Sequence, residues 1–223
     1  GPNGAARSYA VYENPVGNLQ QDKSQTTSNI TNINLGLNYE IIKGLDFTYN
    51  FGAYLENIKD LRFGNTIGGT SASVGGNLTM SSIFRNTLNH QQLLTYQKKI
   101  GKHNFNILVG HELNKTKSDR FSGTKQQLVL PNSLSFDNAV KITDLSGNGY
   151  EYAVEGYFSR LLYNYDNKYF FNANIRRDGS SVFSPDSRWG NFYGLGAAWN
   201  IAKEDFLKGN NTINSLKLKV SYG

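Results

Sequence analysis

Eight stretches of this chain set large apolar side chains at every second residue, and that period of two limits the fold more than any other feature. A β-strand turns successive side chains to opposite faces, so strict alternation makes a sheet with one apolar and one polar face. Ile33, Leu35, Leu37 and Tyr39 share a phase, with Asn34, Gly36 and Asn38 opposite. Leu45, Phe47, Tyr49, Phe51, Ala53 and Leu55 follow after one short turn, opposed by Asp46, Thr48, Asn50 and Gly52, with Tyr54 as the exception. A second pair is expected over 84–97 and 103–114, with Leu88, Leu94, Tyr96, Phe105, Ile107, Val109 and Leu113 on the apolar side and His90, Gln92 and His111 interrupting it. A third pair spans 151–165 and 169–178. A fourth spans 189–201 and 216–222, with "AKEDFL" between its strands expected to form one short helical turn whose first turn favours Glu204 and Asp205.

The connections within these pairs are short. Those between pairs, over 59–82, 115–149 and 179–188, are long, aperiodic and rich in Gly, Ser, Thr and Asn. Short and long connections therefore sort to opposite ends of the sheet. A soluble antiparallel sheet packed on a second layer has no reason to sort its connections this way. An outer-membrane barrel has one, with short turns on the periplasmic side and long loops outside. Several stretches exceed the ~5–6 residues of an ordinary strand and reach the ~9–11 needed to span a bilayer. Tyr39, Tyr96, Phe105, Tyr163, Tyr165, Tyr169 and Trp199 gather on the apolar phase beside the short turns, where amphipathic rings settle at headgroup depth. The fold class expected is all-β, an antiparallel up-and-down transmembrane barrel segment of about eight strands forming an incomplete barrel.

Composition agrees with this reading. Only 38% of residues are hydrophobic and mean hydropathy is −0.50, as expected where half of each spanning strand is polar. No run nears the ~20 apolar residues of a spanning helix. The formal net charge of +6 comes from scattered lysines and arginines, without a continuous basic stripe or recognition helix, so nucleic acid is not an expected partner. With 0 cysteines there is no disulfide framework or thiolate metal site. The opening "GPNGAARSYAVYENP" has neither the basic region nor the apolar core of a signal peptide. The closing "LKLKVSYG" stops inside an alternating strand, and the chain is expected to be a piece of a longer protein.

From Tyr157 onward the sequence resembles the SusC/RagA family of TonB-dependent outer-membrane transporters. The motifs that carry the resemblance are Arg160 with Asn164-Tyr165, Arg176-Arg177-Asp178-Gly179-Ser180-Ser181, Arg188-Trp189-Gly190, Trp199-Asn200-Ile201, Glu204-Asp205-Phe206-Leu207, and Leu216-Lys217-Leu218-Lys219 with Ser221-Tyr222-Gly223. "HNFNILVGHE" at 103–112 fits a hairpin of the same family, and up to about residue 80 the resemblance is architectural. It implies that residues 1–223 are part of a TonB-dependent receptor barrel domain whose plug domain is absent from the chain. It also implies an outer-membrane importer of glycans, peptides or similar nutrients, working with a SusD-like surface lipoprotein and with TonB through the plug. Outer-membrane lipid and lipopolysaccharide are further partners. The alternative is a surface adhesin or porin-like protein that binds through its long loops without import.

No enzyme, metal or cofactor is expected. His90, His103 and His111 lack carboxylates at ligand spacing, and there is no nucleophile elbow. "GGTSASVGG" lacks the Lys-Ser/Thr ending of a phosphate cradle. Substrate contacts are expected, if anywhere, at the loop aromatics Phe63, Phe121 and Phe136, whose faces could stack on sugar rings, and at Arg176. By parity Arg176 faces the polar side. Arg177 takes the apolar phase near the outer end of its strand, at or above the headgroups, because mid-bilayer Arg costs ~2–4 kcal/mol. Both arginines are expected to act structurally, pairing with Asp178, Asp186 or lipopolysaccharide phosphates.

Overall fold

The computed structural model describes residues 20–207 and 212–223. The N-terminal stretch read above as lacking a signal peptide lies outside them. Among the described residues, eight strands form one sheet in the order β1 to β8, each hydrogen-bonded to its sequence neighbours. They are β1 Lys23–Ile42, β2 Leu45–Gly64, β3 Asn77–Ile100, β4 His103–Leu128, β5 Ala139–Tyr165, β6 Tyr169–Ser180, β7 Trp189–Asn200 and β8 Lys217–Tyr222. Among the described residues, helical structure includes one short turn, α1 (Gly69–Ala72), and a few 3₁₀ turns. Among the described residues no helix is long and apolar enough to cross a membrane, which says nothing of strands.

The register over β5 to β8 keeps the two phases intact. Leu161 faces Ala173, Tyr157 faces Arg177 and Phe158 faces Arg176. Ile175 pairs with Tyr193 and Tyr169 with Trp199. Leu195, Ala197 and Trp199 meet Tyr222, Val220 and Leu218. A slip of one residue would move every ring to the polar face, so the pattern itself enforces this pairing.

Turn chemistry closes the short ends. Asp166 and Asn167 both have φ near +53°, as the tight hairpin turn requires. Asn167 N–H donates to Asn164 Oδ1 at 2.8 Å and locks the corner. Gly44 sits at φ +84° beside β3, and a Cβ there would lie 2.4 Å from the Gln97 carbonyl oxygen.

Two expectations need correction. Of the long aperiodic stretches, 115–149 is mostly strand and 59–82 is half strand, while 179–188 stays a connection. β2 runs on to Gly64, β3 begins at Asn77, and β4 and β5 leave only residues 129–138 between them, so β4 has 26 residues and β5 has 27. Backbone hydrogen bonds between strands do not depend on side-chain alternation, so a ladder persists where the pattern stops. The β7–β8 connection is not a single short turn but runs over 201–216, with 3₁₀ turns at Ile201–Lys203 and Asp205–Leu207.

The chain divides into two compact units. Among described residues the first holds β1 as far as Thr31, with Leu55–Asn86 and Lys117–Tyr150; the second holds Asn32–Tyr54, Thr87–Thr116 and Glu151–Gly223. The first contains nearly all the buried side chains, among them Leu78, Phe63 and Ala139. In the second the apolar phase stands open, with Leu35, Leu37, Tyr39, Ile175, Tyr193, Leu195, Leu218 and Val220 all exposed.

Candidate functional site: membrane belts, polar wall and binding cavities

In the second unit the apolar phase is edged by aromatic belts. Beside the short turns, rings run from strand to strand: Phe105 to Tyr163 at 5.0 Å, His103 to Tyr165 at 4.8 Å, Tyr165 to Tyr169 at 6.2 Å and Tyr169 to Trp199 at 6.4 Å. Glu204 holds the far end of this belt. Its carboxylate accepts the Tyr169 hydroxyl at 2.6 Å, the Trp199 indole N–H at 2.9 Å and Lys168 Nζ at 2.9 Å. These donors, the Tyr169 hydroxyl first, lower its pKa to about 2. The bond to Glu204 also raises the Lys168 pKa. Nearby, Lys102 donates to Asp166 at 2.7 Å, which raises the pKa of the lysine and lowers that of the carboxyl. Sequence reasoning placed Glu204 only as a helix-start residue. The available signal was its spacing from Trp199 across a chain reversal.

A second belt marks the other edge. The His111 and Tyr157 rings lie tilted with centres 4.7 Å apart, and Tyr157 lies 6.2 Å from Trp189. Here the apolar phase turns polar on four neighbouring strands. Gln92 Oε1 lies 2.7 Å from His111 Nδ1, Glu155 Oε1 lies 2.9 Å from His111 Nε2, and the Tyr157 hydroxyl donates to Glu155 at 2.7 Å. Arg177 lies over the Trp189 ring at 5.1 Å. From Tyr169 to Arg177, a strand rising ~3.3 Å per residue and tilted ~40° climbs about 20 Å. The span between belts therefore matches the ~25 Å apolar band of a membrane barrel.

The opposite phase is a wall of hydrogen-bonded amides and hydroxyls. Thr48 donates to Asn38 at 2.8 Å, Asn50 to Gln91 at 3.0 Å, and Thr87 and Thr116 meet at 3.0 Å. Arg176 is set into this wall. Its Nε donates to both Asp178 oxygens at 2.7 Å, its Nη2 to Glu112, and its guanidinium lies 5.2 Å from the Phe158 ring centre. Two carboxylates for one guanidinium leave the cluster short of positive charge. Near the short turns the wall curves around a cavity of about 810 Å³, lined on this phase by Lys99, Asn104, Asn106, Asn172, Lys217 and Lys219.

The first unit has its own cavity, of about 430 Å³, lined by Phe121, Gly123 and Phe136 with Lys59, Met80 and Ser82. Lys125 Nζ sits 5.3 Å from the Phe136 ring. Glu56 and Arg85 pair at 2.8 Å, and Thr26 donates to Asp60 at 2.6 Å. Asn138 is buried and ties the β4–β5 loop, accepting from Leu130 N and donating to the Leu130 and Ser133 carbonyls at 2.7, 2.8 and 3.0 Å.

Of the sequence candidates, the structure brings Phe121 and Phe136 to one cavity. Phe63, at the end of β2, is only 4% exposed and packs inside. Arg176 lies in the other unit, held by carboxylates. The three histidines have separate partners: His90 bonds Tyr49 at 2.8 Å, His103 bonds Tyr163 at 2.8 Å, and His111 bonds Gln92 and Glu155.

No family model matches the chain. Among curated proteins, TonB-dependent receptor P3 of Formosa agariphila is 34% identical over 218 residues, 95% of this chain and 21% of that protein. TonB-dependent receptor SusC of Bacteroides thetaiotaomicron is 27% identical over 219 residues, again 95% of this chain and 21% of that protein. The chain thus spans about a fifth of the length of the curated relatives it matches. Among solved structures, a chain of the RagAB peptide transporter aligns with a TM-score of 0.81 at 21% identity, over 91% of this chain and 23% of that one, a likeness of fold.

Proposed function

The chain belongs to the SusC/RagA family of TonB-dependent receptors, and from that premise we propose that it is a stretch of the barrel wall of an outer-membrane nutrient importer. One observation carries this reading. The apolar phase of the second unit is exposed between two aromatic belts, while its other phase is a hydrogen-bonded polar wall. Exposed apolar side chains on this scale need hydrocarbon beside them, and the amide wall suits a water-filled passage. The wall seals lipid from water.

The imported substrate is a glycan, a peptide or a nutrient of similar size. It is captured with a SusD-like lipoprotein and moved by TonB acting through a plug domain elsewhere in the full-length protein. Phe121 and Phe136, which share a cavity, are the proposed stacking contacts. Arg176 is a wall element that holds Glu112 and Asp178 in place, and Phe63 supports the fold. No residue is assigned a catalytic role.

The test uses the full-length protein in outer membranes, with uptake of fluorescent oligosaccharides and oligopeptides followed with and without TonB. TonB-dependent uptake of one class is expected. Combined Phe121→Ala and Phe136→Ala should weaken capture about tenfold, the loss of one or two ring-stacking contacts, with barrel assembly intact. Uptake that ignores TonB, or full-length protein that stays in the soluble fraction, would defeat the proposal.

A further inference from the structure

The adjacent arginines of β6 have different surroundings. Arg176, on the polar phase, is neutralised by Glu112 and Asp178. Arg177, on the apolar phase, meets no carboxylate among the described residues. It is exposed, lies over the Trp189 ring at 5.1 Å and stands directly across from Asn191 on β7 and Tyr157 on β5. Glu155, on the same face of β5, is engaged by the Tyr157 hydroxyl and His111. The guanidinium, the Asn191 amide and the Trp189 indole N–H are therefore three donors gathered on one face, with no protein acceptor for them among the described residues.

One rung below is the cross-strand pair Ile175 and Tyr193, and below that Ala173 and Leu195. Ile175 and Tyr193 are 59% and 61% exposed, the open top of the acyl-facing band. A molecule that lays hydrocarbon on that band and ends in an anion brings its anion to Arg177. A planar guanidinium backed by an indole can give a phosphate two parallel hydrogen bonds while its cationic face stays on the ring. Fixed register keeps these donors together: β6 is flanked by β5 and β7, and Gly179 lets the Trp189 ring lie against the backbone, since a Cβ there would come within 2.8 Å of it.

We propose that Arg177, with Trp189 and Asn191, binds the phosphate of an outer-leaflet glycolipid whose acyl chains lie along Ile175, Tyr193 and Leu195. This rests on the outer-membrane reading and names the lipid contact that reading calls for. The site faces away from the polar passage and anchors the outer edge of the wall at a fixed depth.

The experiment is native mass spectrometry of the full-length protein in detergent, titrated with diphosphoryl lipid A, with lipid A stripped of phosphate, and with inorganic phosphate. Wild-type protein should retain diphosphoryl lipid A. Arg177→Gln should weaken retention about tenfold, the size of one charge-assisted hydrogen bond. Asn191→Asp, which sets a carboxylate opposite Arg177 without removing it, should do the same and serves if Arg177→Gln fails to fold. Lys98→Gln, beside the short turns, should leave retention unchanged.

Equal retention by wild type and both variants overturns the inference. So does equal binding of the stripped lipid, which would leave only apolar contact, or inorganic phosphate bound as tightly as lipid A. A change in dimer population in place of lipid loss would assign the face to a second copy and overturns it too. Partition of the full-length protein into vesicles separates the two failures. Partition without phosphate dependence sinks this inference alone, and no partition sinks the outer-membrane reading as well.

Discussion

The two units solve the problem of a two-faced sheet in different ways. The first buries Phe63, Leu78 and Ala139 and pairs Glu56 with Arg85 and Asn138 with the β4–β5 loop. The second buries little beyond Ala53 and Thr116, and leaves Leu35, Ile175, Tyr193, Leu195 and Val220 in the open. A side chain left out of a core has to find its apolar contact outside this chain. The first unit has a small core of its own, although Val140, Ile142 and Leu145 stand exposed on it too, and the second is built like a wall in hydrocarbon. The same strands supply both, because β1 to β5 contribute residues to each unit.

The strongest way to break this comparison is to put one charge in both places. Leu195→Arg lies mid-depth on the open band and should cost about 2–4 kcal/mol in folding into vesicles. Leu145→Arg, equally exposed but in the first unit, should cost under about 0.5 kcal/mol. Denaturant titration of the full-length protein in vesicles reads both. Equal costs would mean that the Leu195 face does not meet lipid.

A second test addresses the first unit. Asn138→Ala removes three hydrogen bonds from a buried loop anchor and should destabilise that loop by about 2–3 kcal/mol. Hydrogen exchange at the Leu130 amide should accelerate, while the amides of β6 and β7 stay protected. Exchange that rises in both regions would show that the two stand or fall together.

These contrasts also explain what could be read from the residues alone. Alternation from Ile33 to Tyr39 and from Tyr169 to Ile175 is legible because lipid on one face and water on the other impose a phase on each residue. That phase put Arg176 and Arg177 on opposite faces of the strand, and the register sets them across from Phe158 and Tyr157. Residues 117–128 of β4 and 139–150 of β5 carry no such period and read as loop, although they are strand. Glu204 was missed for another reason. Its three donors, Lys168, Tyr169 and Trp199, lie on either side of the β6–β7 reversal, and such a cluster exists only once the strands are paired. Phe121 and Phe136 met in one cavity for the same reason, while Phe63, of the same residue type, was drawn into the interior.

Gly44→Ala sharpens the account of the short turns. The new Cβ would press on the Gln97 carbonyl from a left-handed backbone, at a cost of about 1–2 kcal/mol. The corresponding change at Gly68, where nothing lies within 4 Å, carries no such clash. Differential scanning calorimetry of the full-length protein in detergent should order the two variants accordingly, and reversed order would contradict the packing of this turn against β3.

The smallest effect is expected at Glu204, where the comparison can be followed by pH. Its pKa is lowered from 4.5 to about 2, chiefly by the Tyr169 hydroxyl and then by Lys168 and Trp199. A carboxyl depressed in the folded state contributes stability that is present above its unfolded pKa and lost as pH falls through the folded one. The window is therefore between about 4.5 and about 2. Acidifying the full-length protein through that range should change Trp199 fluorescence as the indole N–H loses its anionic acceptor, with a midpoint near the lower limit. Glu204→Gln should abolish that transition and leave a neutral hydrogen-bonded contact in its place. A midpoint that stays near 4.5 in the unaltered protein would mean that the belt does not hold this carboxylate, and that the β7–β8 connection is secured by something other than its three donors.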